Sequence, residues 1–367
     1  MTVAEQRNDG TNPAGTNPAG DTPTGTSAAG SGIAKLHQPV KGTSLWTDAW
    51  IRLRRNKLAL LGMVIIILNL LVALFADQLA PQSYATQVLA DGDSAPTWVT
   101  HLFPNMIPVG QPDGYVRINE HYPLGADSLG RDLLSRMIYG SRVSLLVAFI
   151  GPLTSLIIGT IVGLISGYMG GAVDNILMRV VDVMYAFPTL LFVILLLAFF
   201  RSSISQPEPG TLSAIMAGLD RQTGGMFFVI AGVGITSWMN LARLVRGQIL
   251  SVREKEYVEA ARSMGVGMSG IMFRHMLPNI LGPVIVSETL TIPTYISFEA
   301  FLSFIGLGVQ QPTPSWGSMI SEGATKISSY PNQAIFPALA LFFVMLAFKF
   351  LGDGLRDALD PRMRGVD

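Results

Sequence analysis

Residues 248–267 read Gln248-Ile-Leu-Ser-Val-Arg-Glu-Lys-Glu-Tyr-Val-Glu-Ala-Ala-Arg-Ser-Met-Gly-Val-Gly267, and a little further on the chain reads His275-Met-Leu-Pro-Asn279. Charged residues recur here at helical spacing, so the stretch is too polar to enter a bilayer and too patterned for a flexible linker. The pattern predicts two short helices broken by Gly265 and Gly267. Pro278 then opens the next apolar segment, a position that tolerates proline because the missing N–H has no partner there anyway. Ala260 and Ala261 leave a low ridge on which another protein can sit closely, and Glu259 and Arg262 flank that ridge with opposite charges. Two readings stand: a docking element for a separate protein, or a solvated hairpin that only joins its neighbours.

Those neighbours are apolar. A bilayer core about 30 Å thick needs roughly 20 mostly apolar helical residues. Leu58–Ala76, Val143–Met169, Val183–Phe200 and Met226–Ala242 satisfy this before the hairpin, and Ile280–Leu307 and Ala334–Leu351 after it. The reading is an all-α polytopic membrane protein with six transmembrane helices. Composition agrees: only 14% of the 367 residues are charged, against about 25% in soluble domains. Net charge is zero, which argues against a nucleic-acid partner. With no cysteine, disulfide scaffolds, thiolate metal sites and cysteine nucleophiles are excluded. The four histidines are never at metal-ligand spacing, so no metal or other cofactor is expected in this chain.

Lysine and arginine accumulate in cytoplasmic loops. With both termini inside, segments 1–57, 170–182, 243–279 and 349–367 are cytoplasmic and hold 18 of the 25 basic residues. Arg131, Arg136 and Arg142 argue against this placement, but Arg52, Arg54, Arg55 and Lys57 beside the first span outvote them. Membrane lipid is thus an expected partner. Five regions follow: a disordered tail at 1–43, whose composition offers no apolar area to offset ordering entropy; an interfacial elbow helix at 44–57; the first span with an outer segment at 58–142; a five-helix core at 143–352 containing the loop 243–279; and a cytoplasmic tail at 353–367. In the outer segment, 87–119 reads as irregular loop. Leu129, Leu133, Leu134, Met137 and Ile138 then form one stripe of a short surface helix capped by Asp127 or Ser128, with Arg131, Asp132 and Arg136 elsewhere.

Ionisable groups inside spans are expensive and mark a pathway by default. Glu288 and Glu299 lie 11 residues apart, close to three turns, and share a face of the fifth span. Either they line a path through the membrane and meet a polar group passing along it, or they pair with Arg179, Arg243, Arg246 or a partner subunit. Gly159, Gly163 and Gly167, spaced by four, predict close helix packing in the second span.

Glu259-Ala-Ala, three residues, Gly265 and then Leu277-Pro278 resembles the EAA loop of bacterial ABC-importer permeases. His275 stands where the broader pattern has an aliphatic residue, a variant similar to that of dipeptide and oligopeptide permeases. Three further stretches resemble the C-type subunit of that subfamily: Pro123-Leu-Gly-Ala-Asp-Ser-Leu-Gly-Arg-Asp-Leu-Leu-Ser-Arg136, Phe304-Ile-Gly-Leu-Gly-Val-Gln-Gln-Pro-Thr-Pro-Ser-Trp-Gly317 and Leu351-Gly-Asp-Gly-Leu-Arg-Asp-Ala-Leu-Asp-Pro-Arg362. The resemblance implies a type I ABC importer permease in the bacterial cytoplasmic (inner) membrane. Its partners would be a second permease, two ATPase subunits that bind ATP and Mg, an external substrate-binding protein and a peptide substrate. It also implies that Glu259, Ala260, Ala261, Arg262 and Gly265 form the ATPase-coupling helix. The chain itself is expected not to be an enzyme, since it has no phosphate-binding Gly-x-x-x-x-Gly-Lys-Ser/Thr loop. Three rivals remain at this point: a proton- or ion-coupled secondary carrier, a non-transporting scaffold, for which the sequence offers no positive sign, and ABC import of nickel chelates or another small solute.

Overall fold

The computed structural model describes residues 45–203 and 207–359. The tail at 1–43 and the end of the C-terminal tail lie outside these residues. Fourteen α-helices are found among the described residues: α1 (Leu45–Arg55), α2 (Lys57–Leu74), α3 (Ala76–Leu79), α4 (Thr97–Leu102), α5 (Leu133–Met169), α6 (Gly171–Ala186), α7 (Thr189–Ser203), α8 (Leu212–Gln222), α9 (Phe227–Val252), α10 (Glu256–Ser263), α11 (Met268–Gly270), α12 (Leu277–Phe304), α13 (Trp316–Ala324) and α14 (Asn332–Leu359). A π-helical turn, Ile271–Met276, joins α11 to α12. There is no strand among the described residues, only four isolated bridges.

Five continuous helical runs are long and apolar enough to cross a membrane, and the pair α6–α7, bent by 82°, makes a sixth. The bend sits at Phe187–Pro188. A residue before proline is pushed out of helical space, and Phe187 is extended at φ −84°, ψ 130°. The third span is therefore broken, where the hydropathy pattern predicts one straight helix from Val183. The bent pair still crosses: Asp174 bonds Arg246 and Asp182 bonds Arg243 near one end of α9, while Val193 packs on Gly232 and Arg201 bonds the Gly225 carbonyl near the other.

Contacts fix the directions of the remaining spans. Gly159, Gly163 and Gly167 of α5 meet Trp238 to Ile249 of α9 in ascending order, so these two helices run parallel. A Cβ on Gly163 would stand 2.6 Å from the Ala242 carbonyl oxygen, so only glycine permits this approach. Ser155 bonds Glu288 and Ser144 bonds Glu299, so α5 and α12 run antiparallel. Leu290 beside Gly352 and Ser297 beside Met345 set α14 antiparallel to α12, and Ala59 against Gly354 with Gly62 against Ala347 set α2 antiparallel to α14. The start of α2, the hairpin carrying α10 and the end of α14 thus share one end of the bundle. The outer segment occupies the opposite end.

Several boundaries differ from the sequence pattern. The surface helix before the second span is not separate: α5 begins at Leu133 with Asp132, not Asp127 or Ser128, as its cap, its side chain accepting from the Ser135 N–H at 2.7 Å. The second helix of the hairpin is likewise fused to the fifth span, so helical backbone runs from Met268 to Phe304. Widening the turn to a π-helix at Ile271–Met276 accommodates Pro278, whose ring would clash with the carbonyl of residue 274 in a regular helix. The sixth span continues as helix to Leu359, through what reads as tail from 353.

Candidate coupling face and translocation path

Helix α10 ends in a Schellman motif: the Gly265 N–H bonds the Arg262 carbonyl at 2.9 Å and the Val266 N–H bonds the Ala261 carbonyl at 3.1 Å. The motif needs a left-handed residue, and Gly265 has φ +77°. Gly267, at φ −65°, needs no such freedom. Val258 is fully buried in a cluster with Leu164, Val245, Ile249, Met272 and Met276, drawn from α5, α9 and the π-turn, and Ala261 is buried as well. The proposed ridge is thereby corrected: Ala261 faces its own bundle, and only Ala260 is exposed. Glu259, Arg262 and Gly265 are exposed with it. Two further residues join this outward surface, Tyr257 and Met264, the latter 74% exposed. Tyr257 and Met264 stand four before and three after Ala261, so helical spacing would have put them beside the buried face, and their exposure is a finding of the structure.

Glu288 and Glu299 face α5 together yet occupy different surroundings. Glu299 is fully buried, bonded to Ser303 at 2.7 Å and Ser144 at 3.3 Å. Glu288 accepts from Ser155 at 2.8 Å and from the Tyr295 hydroxyl at 3.3 Å. Tyr295 lines a cavity of about 190 Å³ in the elbow of the α6–α7 break, walled by α9 and α12. Glu288 therefore stands directly behind a cavity wall, and Glu299 does not reach that cavity. Two of the alternative cationic partners are taken elsewhere: Arg246 holds Asp174 through two bonds of 2.5 and 2.6 Å, and Arg243 holds Asp182 at 2.6 Å.

At the opposite end of the bundle lies a cluster that the stripe pattern concealed. Arg131 and Arg136 are buried with Asp127, and both also bond Glu322 of α13 at 2.9 and 2.7 Å. Arg142 bonds Asp77 at 2.8 Å and the Ala73 carbonyl at 2.6 Å. The Arg142 guanidinium and the Tyr139 hydroxyl hold the Asp77 carboxyl below its usual range. The 87–119 region is irregular but docked: Tyr115 bonds the Ser329 carbonyl at 2.9 Å, Asn105 bonds the Ser328 carbonyl at 2.7 Å, and Trp98 stacks on Phe336. Bonds from the Thr97 hydroxyl and N–H hold the Glu120 carboxyl low in the same way. Among the described residues, no three histidines or carboxylates come together where a metal ion could be held.

Comparison with known proteins bears on both regions. Residues 159–365 match the family described as binding-protein-dependent transport system inner membrane component, and residues 44–96 match the N-terminal transmembrane domain of oligopeptide transport permease C. The oligopeptide transport system permease protein OppC of Bacillus subtilis is 39% identical over 88% of this chain and 92% of its own. The protein of the same description in Escherichia coli K12 is 38% identical over 89% and 94%. The dipeptide transport system permease protein DppC of B. subtilis is 37% identical over 86% of each chain.

Proposed function

Because the chain belongs to the family of binding-protein-dependent transport system inner membrane components, as a C-type permease of the peptide ABC importers, we propose that it forms half of a peptide path across the cytoplasmic membrane and couples it to separate ATPase subunits. Both termini and α10 lie on the cytoplasmic side in this reading. The observation that carries the coupling role is the two-faced packing of α10. Its inner face is buried against α5, α9 and the start of α12, so a push on the helix reaches three spans at once. Its outer face presents Glu259, Ala260, Arg262, Tyr257 and Met264. Glu259 pairs with a basic residue of the ATPase, and Gly265 permits the bend that holds α10 across the bundle end. A second permease completes the path and an external binding protein delivers the peptide. ATP and Mg bind the ATPase subunits, so hydrolysis is not this chain's chemistry. Glu288 and Glu299 belong to the path in this reading, Glu288 beside the cavity and Glu299 as a sealed link between α5 and α12. An ion-coupled secondary carrier is set aside by family membership.

The test is ATP-driven peptide uptake into proteoliposomes holding both permeases and the ATPases, with binding protein inside or outside as orientation requires. Gly265→Pro cannot adopt φ +77°, and Glu259→Lys reverses the docking charge. Both should keep ATP hydrolysis and lose uptake; normal uptake in both variants removes the coupling assignment.

A further inference from the structure

Four hydroxyls on the wall of the cavity at the α6–α7 elbow have already committed their only proton. A hydroxyl donates one hydrogen bond and keeps two lone pairs. Thr236 donates to the Gly232 carbonyl at 3.0 Å, Thr291 to Ser287 at 2.8 Å and Ser237 to Gly234 at 3.2 Å. Tyr295 donates to Glu288. What these groups can still offer the cavity is lone pairs. The rotatable hydroxyls of Thr189 and Thr294 serve either way, and Asn240, exposed at the rim, is the only amide side chain on the lining. No lysine or arginine lines the cavity. Behind Tyr295 lies the Glu288 carboxyl, its other oxygen held by Ser155. The wall lies about 10–20 Å from the outer ends of α9 and α12 at 1.5 Å per residue, well inside the bilayer.

An acceptor wall backed by a carboxyl group suits a group that only donates. We propose that this cavity is a half-site for the N-terminal ammonium of the transported peptide, with Thr236, Thr291 and Tyr295 as its acceptors and Glu288 as the positioning residue that fixes the Tyr295 hydroxyl and can ionise when an ammonium binds beside it. The cavity holds no cation for the peptide carboxylate, only neutral donors at Tyr185, Thr189, Thr294 and Asn240, so the carboxylate is left to the rest of the path. This inference rests on the peptide-importer reading.

The experiment uses the assembled importer in proteoliposomes with two probes, trialanine and N-acetyl-trialanine, each at a concentration that saturates the binding protein by its own fluorescence titration. The wild-type complex should carry trialanine at least about tenfold faster, the scale of one charge-assisted hydrogen bond. Glu288→Gln and the isosteric Thr291→Val should each slow trialanine about tenfold more than they slow the acetylated probe, so that the preference collapses. Unchanged recovery of the assembled complex on size exclusion separates this outcome from misfolding. Retained preference in both variants, or equal slowing of both probes, overturns the half-site while peptide import stands. If the wild-type complex carries neither probe with ATP present, the importer reading itself falls and the half-site with it.

Discussion

Arg131, Arg136 and Arg142 crowd the start of α5, at the end of the bundle where basic residues are disfavoured if α10 is cytoplasmic. Arg131 has a local partner in Asp127, four residues before it, but the other neutralising carboxylates are distant in sequence. Arg136 meets Glu322 across 186 positions of sequence, and Arg142 meets Asp77 across 65. Paired arginines carry little free charge to oppose the basic cluster before α2, which is how the chain tolerates them. Removing one side of a buried ion cluster leaves the other uncompensated and costs about 3–5 kcal/mol. Arg136→Ala should therefore lower the thermal unfolding midpoint in detergent sharply, whereas Arg142→Ala, in a half-exposed pair worth about 0–1 kcal/mol, should barely move it. Equal midpoints for the two variants would show that burial does not distinguish them. Residue types and helical spacing were visible along this stretch. Glu322 and Asp77 were not, because ion pairing over such separations is a tertiary fact.

At the level of elements, the five continuous spans follow directly from hydropathy, since in lipid an apolar stretch of this length must satisfy its backbone internally as helix. The third span departs from the simple pattern, and its reason was present in the chain: Pro188 interrupts the apolar run. Hydropathy averages over a window and is blind to one missing N–H. The break opens the cavity that Tyr295 lines. The glycine row of α5 is the opposite case, a spacing whose meaning was readable. Gly163→Leu would force α5 off α9, where a Cβ alone already meets the Val245 Cβ at 2.6 Å. Overpacking of this kind costs about 1–3 kcal/mol, so that variant should express as a less stable protein by detergent melting, while Gly218→Leu, on open ground in α8, should match the wild type. Equal stability of the two would contradict the close approach of α5 and α9.

Across the whole molecule, α10 is joined to the spans by the same buried cluster that joins α5 to α9, so the hairpin and the cavity wall belong to one packed body. Val245 and Ile249 of α9 belong to that cluster, and Thr236 and Ser237, about two to three and a half turns earlier on the same helix, face the cavity. Displacing α10 must therefore strain the path unless α9 moves with it, and ATP binding can drive transport only by favouring one of those positions. The four family motifs identify the architecture from sequence. Which face of α10 is free depends on packing, and here Ala261 turned inward although it stands beside Ala260 in the motif.

The central claim is that the outer face of α10 seats a separate ATPase in the cytosol. The chain has no cysteine, so Ala260→Cys introduces a single thiol on that face. In the assembled importer this thiol should form a short-range cross-link to an ATPase subunit and resist a membrane-impermeant maleimide added to intact cells. Labelling from outside the cell, with no cross-link to any ATPase, would contradict the account.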